Sequence, residues 1–170
     1  MSPLQLDADL PEQLIPLMWM VGRWAGAGVV GYPTVPETRF GQELDVSHDG
    51  RPFLTYTSRT WALDEEGRRG RPLATETSYW RPGTPEEDGS TPLEVVFAHP
   101  TGIVEVYVGR VRGARVELET DLVARTATAK EYSAATRMYG LVEGDLLWVM
   151  DMAAVGQPLQ SHASARLRRS

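Results

Sequence analysis

Gly22-Arg23-Trp24-Ala25-Gly26-Ala27-Gly28, followed closely by Tyr32-Pro33-Thr34, is the stretch whose reading decides the fold. At strand spacing, Gly22, Trp24, Gly26 and Gly28 fall on one face, because strand side chains alternate with a period of two. That face carries one large aromatic and three positions without a side chain. It leaves space beside a Trp, which lines the mouth of a cavity, or it bends sharply, as glycines in strands do. Gly26-Ala27-Gly28-Val29-Val30-Gly31 also spells G-x-G-x-x-G. The dinucleotide fingerprint needs a helix opening inside it, and Pro33 and Pro36 block a helix there.

Working outward, the chain has the length of one domain, 170 residues, with 42% hydrophobic and 24% charged residues. A net charge of -6 argues against a nucleic-acid partner, which requires a basic face. No apolar run approaches the roughly 18 residues of a membrane span, and Ile15 to Val21 is too short for a secretion signal. A cytoplasmic location is therefore expected. With no Cys, disulfides, thiolate nucleophiles and Cys-ligated metals are excluded. The three His residues, His48, His99 and His162, are far apart in sequence and suggest no multi-His metal site.

Residues 1–10 read as a loose leader and 11–170 as a single domain. Pro11 to Met20 reads as a short helix or helical turns, with Pro11 well placed at the start and Pro16 limiting its continuity. Ten short strand-like runs follow, at about 22–31, 38–47, 52–62, 72–81, 92–98, 102–111, 114–121, 129–141, 144–154 and 160–169. Asp49-Gly50, Arg112-Gly113 and Glu143-Gly144 mark hairpin turns between them. Val104, Val106 and Val108 alternate with Glu105, Tyr107 and Gly109. Regular short strands joined by hairpins imply an all-β antiparallel sandwich or barrel, and ten up-and-down strands closed on themselves enclose a cavity.

These motifs together resemble the nitrobindins, ferric haem-binding β-barrel proteins. Gly22-Arg23-Trp24-Ala25-Gly26-Ala27-Gly28 fits that family's G-x-W-x-G-x-G pattern, and Tyr32-Pro33-Thr34 fits the segment after it. So do the segments Gly50 to Thr57, Ala98 to Val106 and Gln157-Pro158-Leu159-Gln160-Ser161-His162; the resemblance covers about residues 12–169. It implies a ten-stranded, calycin/lipocalin-like barrel related in shape to fatty-acid-binding proteins. It implies one ferric haem b per subunit, with His162 as axial iron ligand and Thr34 as the pocket threonine. It implies reversible NO binding and isomerisation of peroxynitrite to nitrate. Some relatives carry a Met-His pair where this chain has Leu73-Ala74, which predicts a more apolar distal side with one fewer proton donor.

Residue by residue, His162 suffices as a single axial ligand. Its strand neighbours pose a difficulty. Gln160, His162, Ser164, Arg166 and Arg168 share a polar face, and Ala163, Ala165 and Leu167 the core face. Either a bulge re-aims His162, or the haem lies at the barrel rim. His48 reads as an exposed hairpin residue and His99 as structural. Met138, Met150 and Met152 suit an irregular porphyrin face, and an Arg among 166, 168 and 169 is a candidate propionate partner. No carboxylate-His constellation is visible in the spacing. Two rival readings stay open, a carrier of a hydrophobic ligand and a haem-based NO sensor or store, as does a homodimer.

Overall fold

The computed structural model describes residues 9–170; the expected leader falls largely outside that range. A 3₁₀ helix, Glu12–Met20, carries Pro16 inside it. Proline removes one backbone donor and clashes in a longer helix, so these nine residues form tight turns only. Ten strands follow: β1 Gly22–Tyr32, β2 Val35–Ser47, β3 Leu54–Leu63, β4 Arg69–Pro82, β5 Thr91–His99, β6 Ile103–Arg112, β7 Arg115–Arg125, β8 Tyr132–Val142, β9 Asp145–Ala154 and β10 Gln160–Arg169. Each pairs antiparallel with its neighbour in sequence, and β1 pairs with β10, so the sheet closes into an up-and-down barrel. The Glu143-Gly144 turn has φ of 53° and 83° at its two residues, as a two-residue hairpin requires.

One end of the barrel is shut. Leu14, Leu17, Trp19 and Met20 of the helix are buried in the core with Trp24. The Trp24 Nε1–H donates to the Met20 carbonyl at 2.9 Å. Arg169, near the chain's last residue, donates to the carbonyls of Val21 and Trp19 at 2.6 and 2.8 Å, and its guanidinium lies 4.2 Å above the Trp24 ring. Arg166 and Arg168 face Asp145 at 2.7 and 3.9 Å. None of the three lines the cleft at the other end, so they are not propionate partners.

The glycine face does not leave a void. A methyl in place of the Gly26 hydrogen meets the Arg166 carbonyl oxygen at 2.2 Å, and one at Gly28 meets the Ser164 carbonyl oxygen at 2.1 Å and the Phe40 ring at 2.7 Å. The space is filled by the backbone of β10 and by Phe40. Gly22 adopts φ 140°, and a methyl there meets the Arg169 guanidinium. These glycines allow the closing strand to approach; they do not make room for a flat ligand.

Register decides what faces inward. Phe97 pairs with Glu105 and Val95 with Tyr107. Cross-strand partners share a face, so the buried Val95 and Phe97 bring Glu105 and Tyr107 inside, while Val104 and Val108 are exposed. In β8, Arg137 is buried and Met138 lies exposed on the outer surface, so Met138 is not part of a ligand face.

Gly28→Ala is expected to destabilise the barrel by about 1–3 kcal/mol through overpacking against a backbone that cannot retreat. Urea denaturation measures this, and an unchanged midpoint would contradict the close approach of β1 to β10.

Candidate haem site

The open end of the barrel holds a cleft of about 350 Å³, whose walls include His162, Tyr132, His99 and Glu76 with Leu73, Ala74, Ile103, Met150 and Met152. It brings together the last strand, the end of β5, the free half of β4 and the start of β8. That half of β4 is free only on its β5 side, because β4 and β5 pair over Thr77–Pro82 alone, while β3 still pairs with it.

His162 sits at a register break. Ser161 pairs with Asp151 and Ala163 with Met150, leaving His162 as the extra residue of a bulge. A bulge turns one side chain out of the strict alternation, so His162 escapes the polar outer face while Ala163, Ala165 and Leu167 keep the core. Its Nδ1–H donates to the Gly31 carbonyl at 3.0 Å. The Tyr32 ring meets it edge-on, with centroids 5.8 Å apart. Tyr32 is itself fixed, donating to the Met152 carbonyl and accepting from the Ala154 N–H, both at 2.9 Å. With Nδ1 occupied, Nε2 is the nitrogen left for a ligand. Burial pushes the imidazole below its ordinary value, partly opposed by the Gly31 hydrogen bond, and the neutral ring is the form that binds iron.

Thr34 is exposed on the turn after Tyr32 and does not line the cleft. Pro33 borders a shallow groove with Tyr32 and His162. Leu73 and Ala74 do line the cleft, as do Met150 and Met152. Gly22, Trp24, Gly26 and Gly28 do not. His48 holds the Gly50 N–H at 3.1 Å in the hairpin turn.

A carboxylate-His constellation does exist, contrary to the reading of the spacing. Glu105, with no exposed side-chain surface, accepts hydrogen bonds from His99 Nε2–H and from the hydroxyls of Tyr107 and Tyr132. Arg137 reaches Glu105 at 3.4 Å and holds Glu76 through two contacts of 2.8 and 3.1 Å. Its Nε–H donates to the Tyr107 hydroxyl at 3.0 Å, and its guanidinium lies 3.9 Å above Phe97. Burial pushes the Glu105 carboxyl up, but the His99 hydrogen bond, the Arg137 and His99 charges and Tyr107 outweigh it and hold it down at about 2. The tyrosines around it are pushed up by burial and stay neutral phenols.

The haem fits what is present. Among the described residues no group of three or more His, Asp or Glu is arranged to hold a bare metal ion. His162 offers one nitrogen, which suffices for an iron already held by a macrocycle. Apolar walls suit a porphyrin face, and the open mouth leaves an edge for charged groups in water.

The buried network gives stability a pH dependence. A carboxyl lowered on folding stabilises the protein above its ordinary value near 4.5, and that contribution is lost as pH falls toward 2. Glu105→Gln is expected to flatten this acid limb. Arg137→Met, which takes the guanidinium from the buried Glu105 and the part-buried Glu76, is expected to lose about 3–5 kcal/mol at pH 7. Urea denaturation from pH 3 to 8 reads both, and a small loss for Arg137→Met would contradict the network's charge balance.

Residues 13–169 match the family described as "THAP4-like, heme-binding beta-barrel domain". The chain is 57% identical to the ferric nitrobindin-like protein of Kineococcus radiotolerans, over 98% of both chains. It is 51% identical to the peroxynitrite isomerase of Frankia casuarinae, over 95% of this chain and 87% of that one. The crystal structure of Rv2717c from M. tuberculosis is similar with a TM-score of 0.83 at 39% identity, covering 95% of this chain and 99% of that one. With the barrel closed and one imidazole presented in its open end, the chain belongs to the THAP4-like haem-binding β-barrel family.

Proposed function

We propose that the protein holds one ferric haem b through His162 Nε2, binds NO, and isomerises peroxynitrite to nitrate. The observation that carries this reading is the His162 bulge: one neutral imidazole, pinned at Nδ1 by Gly31 and braced by Tyr32, free at Nε2 in the cleft beside Met150 and Met152. Names of relatives support the activity. When bound, the haem would supply the iron chemistry for turning peroxynitrite into nitrate, an isomerisation without net oxidation or reduction.

The chain's own residues bind and orient. The Gly31 carbonyl fixes the tautomer and the plane of the His162 ring, as partners behind a metal-binding His do. Met150, Met152, Leu73 and Ile103, which line the cleft, would keep water from a bound macrocycle. Thr34, exposed on the turn next to Pro33 of the groove that also holds Tyr32 and His162, would offer its hydroxyl to a haem propionate. Leu73 and Ala74 themselves add no side-chain proton donor to the cleft.

The parent is expected to take up hemin stoichiometrically, with a Soret band, and to convert peroxynitrite to nitrate; His162→Ala is expected to lose both. Because burial lowers the imidazole's proton affinity, hemin uptake is expected to persist at pH 6.5, where a free imidazole is about half protonated. A His162→Ala variant that retains both hemin uptake and nitrate yield would overturn the assignment. A parent that takes up no hemin and co-purifies with lipid would support a carrier instead.

A further inference from the structure

We propose that His99 is a second functional residue of the cleft, held as an imidazolium by Glu105 and Glu76, and that its Nδ1–H binds an anionic ligand. The proposal rests on the haem reading above and concerns which ligands that site accepts.

The first support is a charge count. The network contains two carboxylates, Glu76 from β4 and Glu105 from β6, and one guanidinium, Arg137 from β8. Its other polar members are the hydroxyls of Tyr107, Tyr132 and Tyr139, which stay protonated. With a neutral His99 a net negative charge remains inside the barrel, where Glu105 and Arg137 are almost fully buried. An uncompensated buried charge is costly. A proton on His99 brings the sum to zero, and the ring already lies between the two carboxylates that would hold it.

The second support is geometry. His99 Nε2–H is committed to Glu105. Nδ1 lies 3.7 Å from the nearest Glu76 oxygen, which is too long for a hydrogen bond. Glu76 is meanwhile occupied by two contacts from Arg137, which also offset its charge. Nδ1–H is therefore a charged donor that no described residue satisfies. His99, Glu76, Tyr132 and His162 all line the same cleft. The ring cannot turn away freely, because it stacks on Phe97 with an interplanar angle of 14°.

The third support is what the cleft otherwise lacks. Its remaining walls are mainly apolar, and Leu73-Ala74 provides no donor. A small anion entering it would find its charged hydrogen bond at His99, whereas a neutral diatomic would gain little there. Peroxynitrite, nitrite and nitrate share that anionic chemistry.

The test compares hemin-loaded parent, His99→Gln and His99→Phe. Fluoride and nitrite serve as anionic probes and nitric oxide as the neutral one, with hemin uptake as a check on the site. Charge-assisted hydrogen bonds are about twice as strong as neutral ones. Both variants are expected to bind fluoride and nitrite about tenfold or more weakly, with nitric oxide affinity within about twofold of the parent. Anion affinities that do not change, or nitric oxide affinity that falls in parallel, would overturn the proposal. A second arm uses the hemin-free parent, so it needs neither a folded variant nor the haem. Nitrogen-15 NMR at pH 7 is expected to show both His99 nitrogens protonated, with the Nδ1 resonance shifting on addition of nitrite. A neutral His99, or no shift with nitrite, would overturn the proposal. A parent that takes up no hemin would overturn the haem reading instead.

Discussion

A sheet closed on itself has one seam that joins its first and last strands, and here everything functional hangs on it. Along the lower part of the seam, Gly26 and Gly28 let β10 lie against β1 more closely than any side chain allows. Just beyond the last seam pair, Val30 with Ala163, His162 is set out of register by its bulge against β9 and hands its Nδ1–H to Gly31 of the opposite strand. The same seam thus forces closure at one end and presents an imidazole at the other. Arg169 ties the shut end across the same two strands, and Tyr32 ties the open end to β9.

Between these ends lies a layer of buried charge that a stability argument alone does not call for. Buried ion pairs are often no better than well-packed apolar residues of the same volume. Phe in place of Tyr107 or Tyr139, and Leu in place of Arg137, would fill the same space. The layer separates the helix-capped apolar core from the cleft, and it holds His99 and Tyr132 rigidly at the cleft's inner wall. Its position under the cleft, with every carboxylate oxygen engaged, is better explained by the chemistry above it than by the fold below.

Much of this was legible in the sequence. Hairpin glycines and short alternating runs gave ten antiparallel strands and a closed barrel, because turn chemistry and a period of two are local properties. The segment marked out His162, and the conflict between its polar face and a place in the cleft was already visible; the bulge that turns it there was one of two solutions and depends on pairing with β9. Three things were not legible. The glycine face looked like a void because the approach of β10 is a contact across more than 130 residues. The Val104-Val106-Val108 alternation marked two faces without saying which was inside; its register with Phe97 turned Glu105 and Tyr107 inward. The His99–Glu105 pair was missed because strand order and register, rather than sequence spacing, bring Arg137, Tyr132 and Glu76 to it.

The central claim is that the seam presents His162 to the cleft as a neutral imidazole protonated at Nδ1 and free at Nε2. Nitrogen-15 NMR of the hemin-free protein at pH 7.5 tests this most directly. His162 is expected to show a protonated Nδ1 and an unprotonated Nε2, with the Nε2 resonance lost or strongly shifted when hemin is added. A ring protonated at Nε2, or an Nε2 signal that hemin leaves unmoved, would contradict it.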